Sequence, residues 1–188
     1  MTSNTRQSTP RMTVAEFLVW AEAQPDGRYE LVDGVVVAMA PERIIHNYAK
    51  IAVLDALRAG IKSAALPCRV FTDGIGVALT DRHWRIPDAS VQCGGNVDPT
   101  STMLPDPIIL VEVISPSSVR SDSGAKLAEY FLLPGVRHYL IIDPEQRFAI
   151  HHARNEMGDI HTRIVRSGAI TFTPPGFSIT CEDLFVEI

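Results

Sequence analysis

The sequence predicts an α/β domain, an α+β arrangement with a mixed sheet, helices flanking it and an antiparallel hairpin near the N-terminus. Three observations carry this reading. The run Pro107-Ile108-Ile109-Leu110-Val111-Glu112-Val113-Ile114-Ser115-Pro116 is apolar and β-branched, with one carboxylate inside it, as expected of a central strand buried on both faces. From residue 43 the order is helix, several strands, helix, strand, so residues 107–142 form a strand–helix–strand unit whose expected connection is a right-handed parallel crossover. Antiparallel signals lie at both ends: Asp33-Gly34 between two apolar runs, and a meander at 148–165.

The chain has 188 residues, enough for one domain with a substantial core, and the expected organisation is a disordered tail over 1–11 and a single domain over 12–188. Apolar residues make up 46% and charged residues 21%, values of a globular protein. A net charge of -5 argues against a protein that coats DNA, but not against an enzyme with a local basic rim or a carboxylate site neutralised by metal. Cys68, Cys93 and Cys181 are odd in number and form no C-x-x-C pair, which argues against a zinc framework and for a reducing compartment. The first residues lack the apolar segment of a signal peptide, and no apolar run approaches the roughly 20 residues of a membrane span. The expectation is a cytoplasmic protein with no membrane partner.

In order, Thr13 with Glu16 is a capping box opening a short helix that carries Phe17, Leu18 and Trp20 and ends at Pro25-Asp26-Gly27. Residues 28–31 and 35–39 flank the Asp33-Gly34 turn, with Glu30 on the first strand. A long helix is expected over 43–64, with Ile44, Ala52, Leu54, Leu57 and Ile61 as apolar positions, Lys50, Arg58 and Lys62 exposed, and His46 near its first turns. Residues 68–71 and 75–79 read as strands around Thr72-Asp73-Gly74, 81–84 as a polar turn, and 86–92 as a strand with Pro87 at its entrance. Residues 94–106 form a long Gly/Pro/Ser/Thr loop. After the Glu112 strand, Ser115 and Ser117 are expected to cap a helix over 121–133 whose inward residues are Ala125, Leu127, Ala128, Phe131 and Leu132. Residues 138–142 read as another apolar strand, 148–153 and 160–165 as the meander, and 170–172 and 182–186 as closing segments. His151 and His152 are adjacent on a strand and so point to opposite faces; one metal cannot easily use both, and they are assigned to the surface.

The chemistry centres on carboxylates. Burying an unpaired carboxylate in the 107–116 strand costs several kcal/mol, so Glu112 requires a cation, a metal or a solvated strand end. Asp88 follows Pro87 on another strand. If the two strands are neighbours, the carboxylates converge and repel unless a proton, a Lys/Arg or a divalent cation lies between them. An oxygen-rich set suits Mg²⁺ or Mn²⁺. Lys126, early in the following helix, can reach back to the sheet edge, and Asp, Glu, Lys and a hard metal together suit phosphodiester hydrolysis. The plain structural alternatives are a Glu112 pair with Arg85 or Arg120, a Pro-Asp turn at Asp88, a solvated Lys126 paired with Asp122 or Glu129, a cross-strand pair at Glu30, and a surface or capping His46.

Tyr29-Glu30-Leu31-Val32-Asp33-Gly34, Pro87-Asp88, Val111-Glu112-Val113-Ile114-Ser115-Pro116-Ser117, then Asp122, Lys126 and Tyr130, and finally Gly135-Val136-Arg137-His138-Tyr139 with Ile142-Asp143-Pro144 resemble the Uma-two family of restriction-endonuclease-like proteins, within the PD-(D/E)xK nuclease superfamily. The resemblance spans about residues 13–153. It implies a restriction endonuclease-like core and a Mg²⁺- (or Mn²⁺-) dependent endonuclease acting on DNA, with Asp88 and Glu112 as metal ligands. It also implies Lys126 as the migrated motif lysine, since Ile114 stands two residues after Glu112, and Glu30 and His46 as further polar positions around the pocket. Leu140 after Tyr139 departs from a common family aromatic and reads as a core change. A homodimer is expected, because cutting two strands with one site per chain is easiest with two chains. The alternatives are a catalytically silent nuclease fold that binds nucleic acid or a protein partner, and a hydrolase of another phosphate ester.

Overall fold

Strands, several of them on apolar, β-branched runs, make up most of the regular secondary structure among the described residues. The computed structural model describes residues 11–24, 26–114 and 123–185. Backbone packing divides the chain into two compact units, one of residues 1–40 and 78–85, the other of 41–77 and 86–188.

In the first unit, helix α1 (Val14–Glu22) starts at Thr13, whose side chain accepts from the Glu16 amide while the Glu16 carboxylate accepts from the Thr13 amide. This reciprocal box satisfies two amide donors at the helix start. Strands β1 (Tyr29–Val32) and β2 (Val35–Ala38) form the expected hairpin. Asp33 and Gly34 have φ of 50° and 76°, the paired left-handed residues of a type I′ turn. Arg11, expected in the tail, pairs with Asp33 at 2.6 Å. Strands β4 (Val77–Thr80) and β5 (His83–Arg85) complete a sheet of order β2-β1-β5-β4. The expected polar turn at 81–84 is thus a turn followed by a strand, with Trp84 buried against Phe17.

The second unit contains α2 (Ile44–Ser63) and a six-stranded sheet of order β10-β9-β8-β7-β6-β3. Its strands are β3 (Cys68–Thr72), β6 (Ala89–Cys93), β7 (Ile109–Val113), β8 (His138–Asp143), β9 (Phe148–Arg154) and β10 (Ile160–Val165). Neighbours are antiparallel except β7 and β8, the parallel pair expected of the strand–helix–strand unit. Helix α3 (Ser123–Tyr130) stands between them in sequence; the expected caps Ser115 and Ser117 lie outside the described residues. Strands β11 (Ala169–Phe172) and β12 (Phe177–Thr180) pair as a hairpin, and a short 3₁₀ turn (Cys181–Leu184) follows.

One core unites Val53, Leu57 and Ile61 of α2 with Ala89, Val91, Ile109, Val111, Leu140 and Ile142 of the sheet and with Ile170, Phe172, Phe177 and Ile179 of the hairpin. Several expectations change here. The strands on either side of Asp73 do not pair with each other: β3 joins β6, whereas β4 joins β5. The buried face of α2 is His46, Ala49, Lys50, Ala52, Val53, Leu57 and Ile61; Lys50 is 7% exposed and Ile44 74% exposed, the reverse of expectation. Reading the helix by apolarity alone rotates its stripe, because two polar residues occupy inward positions. Among the described side chains of α3, Tyr130 is buried and Ala128 exposed, and Leu132, past the helix end, is exposed as well. Cys68 and Cys93, distant in sequence, are register partners on β3 and β6 and form a disulfide.

Candidate functional site

The site lies where β6 begins and β7 ends. The antiparallel register pairs Ala89 with Val111 and Ser90 with Leu110, so continuing it by one residue sets Asp88 opposite Glu112. Backbone bonds hold that placement: the Asp88 amide donates to the Val111 carbonyl at 2.9 Å, and the Val113 amide donates to Asp88 Oδ2 at 2.6 Å. Pro87 supplies no amide donor, so the ladder gives way there and the following aspartate is left at the strand entrance. Both carboxylates are 7% exposed.

Each carboxylate has its own ammonium. Lys126 Nζ lies 3.1 Å from Glu112 Oε2, and the Tyr130 hydroxyl donates to Glu112 Oε1 at 2.5 Å. Lys126 and Tyr130 are four residues apart on α3 and therefore share a face. Lys126 thus reaches back to the strand as a partly buried side chain, and the alternative of a solvated helix lysine does not hold. Tyr130, fully buried, also packs edge-on against Tyr139 of β8. The motif spacing Lys126–Tyr130 was the signal that could have placed Tyr130 here.

Asp88 Oδ1 lies 2.7 Å from Lys50 Nζ. The same ammonium contacts Asp73 Oδ2 at 3.2 Å and the Glu42 carboxylate. Oxygens of Glu42, Asp73 and Asp88 all lie within 4.8 Å of one another. Burial pushes the Asp88 carboxyl up, aided by nearby Glu42, against the Lys50 ammonium and the Val113 amide, which favour the ionised form. Burial draws the Lys50 ammonium down, but the surrounding carboxylates outweigh it and hold its pKa above the usual lysine range. Lys50, Asp73 and Glu42 were not expected here. The available signal for Lys50 was its spacing of four from His46 and three from Val53, on the inward stripe.

His46 is buried in the first turn of α2, where its Nε2 accepts from the Arg43 guanidinium at 3.4 Å. Burial and Arg43 lower its pKa, while Glu42, Glu145 and Asp88 oppose them. Glu30 belongs to the first unit, where it is buried and ion-paired with Arg85 at 2.8 Å. Arg85, a candidate partner for Glu112 by sequence, has this role; Arg120, the other candidate, lies outside the described residues. His151 and His152 occupy opposite faces of β9 as expected, but both are buried rather than on the surface.

A mixed sheet with a parallel β7–β8 pair, helices beside it and acidic residues at adjacent strand ends defines a restriction endonuclease-like fold. The structure is similar to the crystal structure of a protein from Anabaena variabilis described as "a putative nuclease belonging to DUF820", with a TM-score of 0.71 and 17% identity, over 92% of this chain and 97% of that one. In sequence, residues 14–182 match the Uma2 family model, described as "Putative restriction endonuclease", and the chain belongs to that family. The uncharacterized protein slr1290 of Synechocystis sp. is 23% identical over 151 residues, covering 80% of this chain and 78% of the relative. Among the described residues no helix is long and apolar enough to cross a membrane.

Proposed function

We propose that the protein is a metal-dependent endonuclease that hydrolyses phosphodiester bonds in DNA, with Asp88 and Glu112 as the metal ligands. The observation that carries this is the opposition of two buried carboxylates on adjacent strands, each partnered by a lysine. Family membership supports the reaction class. The donors suit a hard divalent cation: Asp88 and Glu112 offer carboxylate oxygens from opposed strand positions, and Asp73 and Glu42 add carboxylates beside Asp88, with no thiolate among them. Mg²⁺ or Mn²⁺, when bound, supplies a water of lowered pKa and neutralises charge on the phosphoryl oxygens.

The chain's own residues set the rest. Asp88 is aimed by the Val113 amide, which occupies one carboxylate oxygen and leaves Oδ1 toward the acidic cluster. Glu112 is oriented by Tyr130. Lys126 supplies positive charge for an anionic phosphate as it gains charge in the transition state. Neutral His46, its Nε2 engaged by Arg43, stands on the inward face of α2 four residues before Lys50. A homodimer with one site per chain fits double-strand cutting.

The test is cleavage of plasmid and single-stranded DNA by purified protein with and without Mn²⁺. Wild type is expected to cut only with the metal, and Asp88→Ala and Glu112→Ala to be inactive while retaining the wild-type circular dichroism spectrum. Full cleavage by either folded variant would refute the ligand assignment. The second reading, a silent nuclease fold that binds nucleic acid or a protein, is favoured by one observation: Lys50 already neutralises Asp88. Calorimetric titration with Mn²⁺ separates the two, since the silent module has no need of a cation at Asp88.

A further inference from the structure

The geometry points to a role for Lys50 that rests on the metal-site reading and extends it: Lys50 is a tethered counter-cation that occupies the cation position at Asp88 in the metal-free protein, and a divalent ion enters only as the lysine withdraws from that carboxylate.

The argument begins with α2. His46, Lys50, Val53, Leu57 and Ile61 succeed one another at spacings of three or four and are all buried. An inward lysine in such a stripe is costly unless its ammonium is paired. Here it is paired three times, with Asp88, Asp73 and Glu42. Three carboxylates meet at that one ammonium. Carboxylates gathered this closely favour a cation among them.

Asp88 makes the competition specific. Its Oδ2 accepts from the Val113 amide, and Oδ1, the oxygen that carries no amide bond, is the atom that Lys50 contacts at 2.7 Å. Glu112 differs, because Lys126 and Tyr130 divide its two oxygens. A lysine also suits the task better than an arginine. Its ammonium is a compact charge on a flexible four-carbon stem, without the planar fork that locks a guanidinium to one carboxylate. With Asp73 and Glu42 alongside, the ammonium can leave Asp88 and keep a partner.

Two measurements test this without reading DNA cleavage. The first is Mn²⁺ calorimetry and thermal melting of Lys50→Met beside wild type. In EDTA, Lys50→Met is expected to melt about 10 °C lower, because a partner has been removed from a buried charge cluster. It is expected to bind Mn²⁺ at least about tenfold more tightly, because a competing charge is gone. Mn²⁺ then raises its Tm more than it raises the wild type's. Equal or weaker Mn²⁺ binding by folded Lys50→Met overturns the proposal and leaves the Asp88 ligand assignment standing. If wild type, Lys50→Met and Asp88→Asn all give the same Mn²⁺ isotherm, the ligand assignment itself fails, and the role of Lys50 with it.

The second measurement uses the wild-type chain and holds even if Lys50→Met does not fold. The sequence contains three lysines, Lys50, Lys62 and Lys126, so acylation by an amine-reactive reagent is readable residue by residue in a mass spectrum. Lys62, exposed on α2, is the internal reference. Lys50 is expected to react far more slowly than Lys62 in EDTA and to gain reactivity as Mn²⁺ saturates. Asp88→Asn is expected to abolish that gain. Lys50 reactivity that is indifferent to Mn²⁺ while calorimetry shows the ion bound would overturn the proposal.

Discussion

Two of the places where the six-stranded sheet buries polar groups treat them in opposite ways. At the end where β6 meets β7, Asp88 and Glu112 are buried beside Lys50 and Lys126. Farther along the sheet, His138 of β8 and His151 of β9 stack on each other at 5.1 Å, and Phe172 of the β11–β12 hairpin meets both rings edge-on. Among the described residues no carboxylate partners these rings: His138 bonds to His151 at 3.0 Å and to the Pro174 carbonyl at 2.8 Å. The Pro174 carbonyl can only accept, so His138 donates from Nε2 and its Nδ1 accepts from His151. Burial therefore holds both imidazoles neutral, each with a pKa lowered to about 4. The difference teaches what burial permits. Charge survives inside the sheet where opposite charge sits next to it, and is given up where it does not.

The largest effect that would break this contrast is at Lys126. If the charged end is built for an anionic transition state, Lys126→Ala loses about 10²–10³-fold in DNA turnover, the size seen when one transition-state donor is deleted. Its Mn²⁺ affinity changes far less, since Asp88 and Glu112 remain. Steady-state cleavage beside Mn²⁺ calorimetry makes the distinction. Wild-type turnover in Lys126→Ala would reduce the Glu112 pair to a structural ion pair.

Next in size is the response of the histidine layer to acid. Both rings have folded pKa values of about 4 against an ordinary 6.5, so the unfolded chain binds protons before the folded one does. Their contribution to stability is complete above pH 6.5 and is lost as pH falls from 6.5 toward 4. The loss is on the order of 3 kcal/mol for a ring shifted this far. Thermal melts across that range should show Tm falling with pH, and His151→Gln, which keeps a donor for His138 but does not titrate, should flatten the profile. A profile unchanged by His151→Gln would place the acid response in the carboxylates instead.

Local chemistry made much of this architecture legible. The capping box at Thr13, the Asp33-Gly34 turn and the apolar β7 and β8 runs are decided by residues close in sequence, and the structure has them where the residues point. Asp88 and Glu112 were legible as candidates because a carboxylate among apolar strand residues demands a partner. What was hidden is long-range pairing. Nothing near Asp73 says that the strands on either side of it enter different sheets, nor that this turn residue reaches an ammonium on α2. Lys50 was hidden by a rule that takes apolar residues as the inward face, although a lysine with three carboxylates can occupy that face. Strand β12 carries only Phe177 and Ile179 as buried residues, too short a pattern to declare itself.

A smaller effect sharpens the charged side. Tyr130→Phe removes the hydroxyl from Glu112 Oε1 and leaves the Lys126 contact and the ring packing on Tyr139 in place. Loss of an orienting partner of this kind costs about tenfold in metal affinity or activity. Cleavage assays on Tyr130→Phe should show that intermediate loss, and a loss as large as that of Glu112→Ala would make the hydroxyl a direct participant.

The smallest effect tests whether the two regions are separate at all. From His152, the neighbour of His151 on the opposite face of β9, a chain of contacts leads to the charged end: His152 stacks on Tyr139 at 5.7 Å, Tyr139 packs edge-on against Tyr130 at 5.0 Å, and Tyr130 donates to Glu112. Contiguity of this sort is not coupling until both ends respond together. His152 Nδ1 bonds to Thr162 Oγ1 at 2.8 Å at the far end of that chain. Thr162→Val keeps the β-branched shape and deletes the bond, so it should lower stability by about 0.5–1.5 kcal/mol. Because water can reach the exposed Thr162 side, the low end of that range is expected. DNA cleavage and Mn²⁺ affinity should not change, since the Tyr139 ring that transmits any shift is fixed on its other side by Tyr130 and lies fully inside the sheet packing. A drop in Mn²⁺ affinity in folded Thr162→Val would show that the neutral and charged regions act as one network, and the contrast between them would then describe two ends of a single device.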